Sequence, residues 1–439
     1  MKKVPLLALA ALVCGVLSAE YLEIAPTETR SYKVGEPVTF TVTGWADKTA
    51  KMTSGTVRIS LRDSGWSGAK IADDVVIDFA KGNPATFTVA LNRPGFILVS
   101  PAPRKSADGK KIEWMTRDRA KPALGGAAVE PEKIRPGAEC PADFDEFWRK
   151  NLELFKKAEI VLSDDVPAAQ RRRGYKVSRI TVKFPGGTGM IDGFLLIPEK
   201  PGKYPAMAGV PGAGPGWVRS SGGRIPIGRP TIELWLNVHP FPTAATIEEQ
   251  KARAFEYRQK HLNNTGYWLY RAENRDEYIY RNVWSAVSRA IDYVAELPEF
   301  DGKNFAILGH SQGGGSALAV GSLNPHITCI MASVPALCDH GGWKLGRQEG
   351  WPMIHTRLKG KADAASGYFD GANFAARIKV PTVVSAGYVD LTCSPASVYA
   401  AYNMIRAPKT MVPLYHHGHY LHPDYRQKAE ECMRKTFGK

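Results

Sequence analysis

The stretch FAILGHSQGGGSALAV, Phe305–Val320, decides how the rest of the chain is read. Four apolar residues, Phe305 to Leu308, run into Gly309-His310-Ser311-Gln312-Gly313, and a run of small residues at helical spacing follows. An apolar run of strand length that opens directly into a helix puts Ser311 on a sharp turn between the two. That turn is sterically demanding. Residues two before and two after the serine press against the neighbouring strand and helix, and Gly309 and Gly313 have no Cβ to collide there. At ordinary Gly and Ser frequencies a G-x-S-x-G pattern arises by chance in about 0.1–0.2 of chains this long, so the context outweighs the motif. The helix behind Gln312 adds backbone N–H groups and a positive dipole end, which favour developing negative charge. Ser311 reads as a nucleophile.

A serine hydroxyl is a weak nucleophile at its ordinary pKa. It needs a base, and the base needs an orienting carboxylate. After a strand-turn-helix serine of this kind the chain order is Ser, acid, His. VVSAGYVDLTCSP (383–395) places Asp390 just past an apolar strand, where sheet-end loops collect catalytic groups. A plain helix-capping aspartate is the alternative. PLYHHGHYLHP (413–423) then offers His416, His417, His419 and His422. Gly418 lets the loop turn tightly, which favours His419 as the base, with His417 second. The histidine intervals are short and irregular and have no Cys or acidic partner at ligand spacing, so no metal and no cofactor is expected. Two N–H groups should face the developing oxyanion. Gln312 supplies one, and the small-residue loop of MAGVPGAGPGW (207–217) supplies the other, with Ala213 as the chosen donor. No Lys follows that loop at phosphate-binding spacing.

Around this centre the chain divides by rhythm. Residues 20–128 hold short alternating runs such as EPVTFTVTG, SGTVRISLRDSG and PATFTVAL, punctuated every eight to twelve residues by turn formers. That pattern predicts an immunoglobulin-like β-sandwich. Trp45 and Trp66 could line a sugar-binding surface there or simply pack. KPALGGAAVEPEKIRPGAECP (121–141) reads as a linker. From 129 to 439 strands alternate with helices, which predicts an α/β fold with a mostly parallel sheet and helices on both faces. Residues 244–275 read as a lid-like insertion, in which Tyr267, Trp268 and Tyr270 are candidate sugar-stacking rings.

The 439 residues suit two domains. Residues 1–19 have two lysines, an apolar core and a small residue at Ala19, the pattern of a secretory signal peptide, which predicts a secreted or periplasmic protein. No later run reaches membrane-spanning length. The net charge of +15 includes Lys2 and Lys3 of that leader. It fits a solvated basic surface or attraction to an acidic polysaccharide. Nucleic acid is a poor third, because no basic run is interleaved with aromatics. Five cysteines follow the leader, an odd number, leaving a Cys329–Cys338 bridge or buried free thiols as readings.

Three stretches carry a family resemblance: CPADFDEFW (140–148), GHSQGGGSALA (309–319) and GYVDLTCSPASVYAAYN (387–403). Residues from about 131 to 437 resemble the acetyl xylan esterase / cephalosporin C deacetylase family of α/β-hydrolases. The resemblance implies an α/β-hydrolase fold, a triad of Ser311, Asp390 and His419, backbone donors at Ala213 and Gln312, and acetyl groups on sugar hydroxyls as substrate. An acetylated carbohydrate is thus the expected partner. The family's Arg-Gly-Gln motif is missing, since the corresponding region reads LWLNVHPFPTAAT (234–246). That departure leaves the particular sugar and the oligomeric state open. Alternatives are a carboxylesterase or serine peptidase of other specificity, and a non-catalytic polysaccharide-binding protein on a hydrolase shell.

Overall fold

A computed structural model describes residues 20–105, 110–117, 121–216, 218–220 and 225–438. The expected signal peptide at 1–19 lies outside the described residues. The N-terminal region is two sheets around one core. Tyr21–Pro26, Val38–Trp45 and Ala85–Val89 form an antiparallel three-stranded sheet. The other sheet runs Ser31–Tyr32, Gly125–Val129, Gly95–Pro101, Thr56–Asp63 and Val75–Asp78. Strict alternation, as in Val38, Phe40 and Val42 on one face of Val38–Trp45, sends one side of each strand inward. Gly125–Val129, expected to be linker, is instead a strand paired with Gly95–Pro101. Its small residues mislead a composition-based reading but serve a close approach. A Cβ on Gly126 would lie 2.6 Å from the Tyr388 carbonyl of the following region.

The apolar run GFILVS has a related explanation. Ile97 and Val99 enter the sandwich core, while Phe96 turns the other way and packs on Tyr388 and Tyr399, with ring centres 4.9 and 5.4 Å away. The strand is buried on both faces and so loses its alternation. Trp45 is a packed ring, its indole N–H donating to Glu23 at 3.0 Å, whereas Trp66 is exposed.

The rest of the chain is built on nine strands: β1 (Ile160–Ser163), β2 (Tyr175–Lys183), β3 (Met190–Pro198), β4 (Tyr204–Gly209), β5 (Ile232–Leu236), β6 (Phe300–His310), β7 (Cys329–Ser333), β8 (Thr382–Gly387) and β9 (Lys409–Leu414). Their spatial order is β1-β2-β3-β5-β4-β6-β7-β8-β9. The pairs from β1 through β3 to β5 are antiparallel, and every pair from β5 to β9 is parallel. Five of the six principal helices pack on this sheet. Those labelled α1 (Phe144–Phe155), α3 (Ile279–Ala295), α4 (Gln312–Leu323) and α5 (Pro395–Met404) cover one face, and α6 (Pro423–Phe437) covers the other. The remaining one, α2 (Ile247–His261), is peripheral, with Gln250 alone buried among its residues. The strand period explains why the central strands read as unbroken apolar runs. Phe305 and Ile307 of β6 face the four-helix side, while Ala306 and Leu308 face α6. The chain is an α/β-hydrolase fold preceded by a strand-rich region.

The five described cysteines are free thiols. Cys329 faces the α6 side of the sheet and Cys338 the opposite core, so the bridge considered from sequence has no geometry to form.

Candidate active site

Ser311 stands between β6 and α4 with φ 59° and ψ −122°, a backbone conformation that a residue bearing a side chain rarely adopts. The strain is held by what surrounds it. A Cβ on Gly309 would lie 2.1 Å from the Gly313 carbonyl carbon, and one on Gly313 would lie 2.3 Å from the Val210 carbonyl oxygen. No other residue type fits at either place. The Ser311 N–H donates to Ser333 O at 2.9 Å, and its carbonyl accepts from Ala336 and Gly315, each at 3.0 Å. The elbow is thereby tied to β7 and to the first turn of α4.

The three residues singled out for acyl transfer meet at this point. The Ser311 hydroxyl donates to His419 Nε2 at 2.8 Å, and His419 Nδ1–H donates to Asp390 Oδ2 at 2.8 Å. The Asp390 side chain is fully buried. Its other oxygen accepts from the backbone N–H groups of Thr392 at 2.8 Å and Cys393 at 2.9 Å, so Oδ2 alone is left for the imidazole. Which histidine serves as base is thus a matter of reach. His417, the second choice from sequence, takes a hydrogen bond from the Tyr420 hydroxyl at 2.6 Å instead. His422 caps α6 by accepting from Asp424 N–H, and the His416 carbonyl accepts from Lys121 at 2.6 Å.

His310, which the sequence reading passed over, lies with its ring centre 5.1 Å from that of His419. Burial, and after it the neighbouring His419, pushes His310 down to about 4. It therefore remains neutral near pH 7 and adds no charge of its own beside His419.

The loop after β4 passes over the elbow. A Cβ on Gly212 would sit 3.8 Å from Ser311 Cβ and 3.6 Å from His310 O. Ala213 follows in that loop, and Gln312 opens α4, so both expected N–H donors belong to segments that border Ser311. The Gln312 side chain is fully buried, and its Oε1 accepts from the hydroxyls of Tyr267 at 2.6 Å and Tyr280 at 2.8 Å. A cavity of about 250 Å³ lies on the α6 side of the sheet near the elbow, lined by Gly212, His310, Trp235, Leu421, Arg219 and Arg426 among others; Ser311 and His419 are not among its lining residues.

The three stacking rings expected in the insertion fare differently. Tyr267 is 5% exposed, wedged edge-on between His239 at 4.5 Å and Trp268 at 5.0 Å. An interior ring offers no face to a sugar, so its expected role is corrected to one inside the site's framework. Trp268 and Tyr270 are partly buried and pack against the main core, Trp268 lying 5.5 Å from Trp351. The segment after β5 carries Asn237 and His239, both buried. A Cβ on Gly216 would lie 2.1 Å from Asn237 Oδ1 and 2.4 Å from His239 Cδ2, so these two support the loop after β4 from behind. Sequence reasoning noted this segment only as an absence.

Comparison with known proteins identifies the family. The acetyl xylan esterase (AXE1) family matches residues 248–434. The acetyl esterase Axe7A of Xylanibacter ruminicola is 32% identical over 327 residues, covering 73% of this chain and 69% of that protein. Acetyl xylan esterase 1 from Thermoanaerobacterium sp. JW/SL YS485 superimposes with a TM-score of 0.55 at 20% identity, covering 70% of this chain and 98% of that one. The acetyl xylan esterase from Paenibacillus sp. R4 gives 0.54 at 24% identity over the same shares. These two structures share the fold over 70% of the chain, and the relationship to Axe7A carries the family. A strained serine on a strand-to-helix elbow, a sheet of this order and a relative of this identity lead to one assignment: the chain belongs to the acetyl xylan esterase family of α/β-hydrolases and is a serine carboxylic-ester hydrolase.

Proposed function

We propose that the protein is an exported carbohydrate esterase that removes acetyl groups from xylan or a related plant polysaccharide through Ser311, His419 and Asp390. The observation that carries this reading is the continuous hydrogen-bonded line from Ser311 Oγ through His419 to the buried Asp390, with both links at 2.8 Å. Ser311 Oγ attacks the acetyl carbonyl carbon while His419 Nε2 accepts its proton. The carbonyl π pair moves to oxygen, and that oxyanion rests on the N–H groups of Gln312 and Ala213. Asp390, held by two N–H groups of its own loop, keeps the imidazole in the tautomer that presents a lone pair to Ser311 and stabilises the imidazolium. The tetrahedral intermediate collapses, the C–O bond to the sugar breaks, and His419 returns the proton to the departing sugar oxygen. Water, deprotonated by the same imidazole, then attacks the acetyl-enzyme carbonyl; the bond to Ser311 Oγ breaks, acetate leaves, and His419 returns the proton to Ser311. Trp268 and Tyr270, partly exposed, are the rings we assign to the sugar side. Export rests on the leader-like first nineteen residues, and no helix among the described residues is long and apolar enough to cross a membrane.

The test is acetate release from acetylated xylan, acetylated pectin and an aryl acetate, with Ser311→Ala as control. Release from a polysaccharide that disappears in the variant is the expected result. Cleavage of the aryl acetate alone would leave the chemistry standing and remove the polysaccharide. Undiminished release by Ser311→Ala would refute the mechanism.

A further inference from the structure

The loop Pro211–Pro215 poses a mechanical problem. Gly212 and Gly214 let backbone N–H groups come close to a substrate oxygen, and Gly214, at φ +143°, adopts a conformation open to little else. Glycine freedom works against a fixed geometry, because a loop that can rotate does not hold a donor at a set position. Donors for an oxyanion act only when they are held in place before the charge appears. Something must therefore pin this loop, and the pins come from three separate segments.

The Tyr267 hydroxyl is the central one. It donates its single proton to Gln312 Oε1 at 2.6 Å, and its oxygen lies 3.4 Å from Gly214 N–H, which donates to it. One phenol oxygen thus touches both the residue after the nucleophile and the loop across from it. Burial pushes the Tyr267 pKa well up, so the hydroxyl keeps its proton. Gln312 Nε2 reaches in the same direction, donating to Pro211 O at 3.4 Å. On the far side His239 Nε2–H donates to Gly214 O at 2.9 Å, and Gln250 Nε2 donates to Pro215 O at 2.9 Å while its Oε1 accepts from Ala244 N–H. Burial holds His239 down to about 4, so it is a neutral ring whose Nε2 proton stays on the carbonyl. The carbonyls of Pro211, Gly214 and Pro215 and the Gly214 N–H are thus tied.

We propose that Tyr267 is a positioning residue that couples the two sides of the oxyanion hole, and that His239 and Gln250 fix the loop in the register this coupling needs. The proposal rests on the reading that Gln312 and Ala213 N–H groups receive the oxyanion. The insertion supplies a phenol and an amide to this support, and the segment after β5 supplies an imidazole. The proposal explains why Tyr267 is buried in a stretch whose composition suggests a surface.

Tyr267→Phe tests it, because the ring and its packing survive and only the bridging oxygen is lost. Hydrolysis of an aryl acetate should show kcat reduced roughly tenfold with KM unchanged within about twofold, the size expected when one neutral hydrogen bond that orders a catalytic donor is removed. Affinity for phenylboronic acid, whose serine adduct is tetrahedral and anionic, should fall by a similar factor. Tyr280→Phe removes a donor to the same Gln312 oxygen without touching Gly214, so its loss of kcat should be clearly smaller. Wild-type kcat and boronate affinity in Tyr267→Phe, or equal losses in the two variants, would overturn the coupling. Should Tyr267→Phe fail to fold, His239→Leu carries the same prediction of a kcat loss at constant KM, and an unchanged kcat there overturns it. Ser311→Ala separates the two levels. If it abolishes turnover while Tyr267→Phe is silent, the site stands and the coupling falls; if Ser311→Ala stays active, both fall.

Discussion

The two loops that flank Ser311 differ in how their working groups are held. The Asp390 carboxylate is held by its own turn: it accepts from Thr392 and Cys393, two and three residues further on, and Ser394 caps α5 by accepting from Ser397 N–H, while Gln348 adds one distant tie by donating to Leu391 O at 2.9 Å. The loop carrying Ala213 is held from afar. Its partners His239, Gln250, Tyr267 and Gln312 lie 25, 35, 53 and 101 residues from the atoms they bind. A loop fixed by its own turn keeps its geometry wherever the strand beneath it goes. One fixed by long-range side chains can be re-specified by exchanging those side chains, and this is where the chain departs from its family's usual motif.

The largest effect that would break this contrast is at the acid. In Asp390→Asn the amide oxygen should stay on the Thr392 and Cys393 N–H groups, turning the NH2 toward His419 Nδ1. The imidazole proton would then move to Nε2, facing Ser311, and kcat should fall about 10³–10⁴-fold with little change in melting temperature. A collapse of stability instead would show that the loop is less self-sufficient than its hydrogen bonds indicate. Gln250→Ala, on the other side, removes one of several pins. It should lower kcat severalfold, less than Tyr267→Phe, and destabilise by about 1–3 kcal/mol because Ala244 N–H and Pro215 O are left buried; urea unfolding and steady-state kinetics measure both.

Phe96→Ala sharpens the contrast from the sandwich side. Phe96 packs on Tyr388, two residues before Asp390, and its removal should cost about 3–5 kcal/mol of stability. Turnover per folded molecule should stay within about twofold of wild type, since Asp390 is held by its own loop. A matching loss of kcat would make the sandwich part of the catalytic support.

The smallest effect is one of pH. Burial lowers His239, His310 and His340 each to about 4, whereas the unfolded chain takes up those protons near 6.5. Between those values the unfolded state binds more protons, so stability rises with pH across the window. The melting temperature should drop as pH falls from about 6.5 to about 4, and these groups should add no further slope below that. His239→Leu should remove part of the slope.

The same contrast governs what could be read in advance. Ser311 was legible because an elbow is a local object: apolar strand, two glycines and helix lie within a dozen residues. Asp390 was legible from its position at a strand end. His419 needed a choice among four histidines, and only the folded loop shows that His417 is occupied by Tyr420. Tyr267 and Gln250 were not legible in their true positions. A tyrosine within TGYWLYRAEN and a glutamine within a charged helix give no periodic sign of burial, because their partners are fixed by the tertiary fold. Gly125–Val129 was misread for a similar reason. Small residues mark linkers and close-packed strands alike, and the difference is made by Tyr388, more than two hundred and fifty residues away.

The most direct test of the central claim is to quench the protein during turnover of an aryl acetate and map the modified peptide by mass spectrometry. The account predicts a single acetyl group on Ser311, formed and lost at rates that match turnover and absent from Ser311→Ala. Acetyl on another residue at those rates, or full turnover by Ser311→Ala without an adduct, would contradict it.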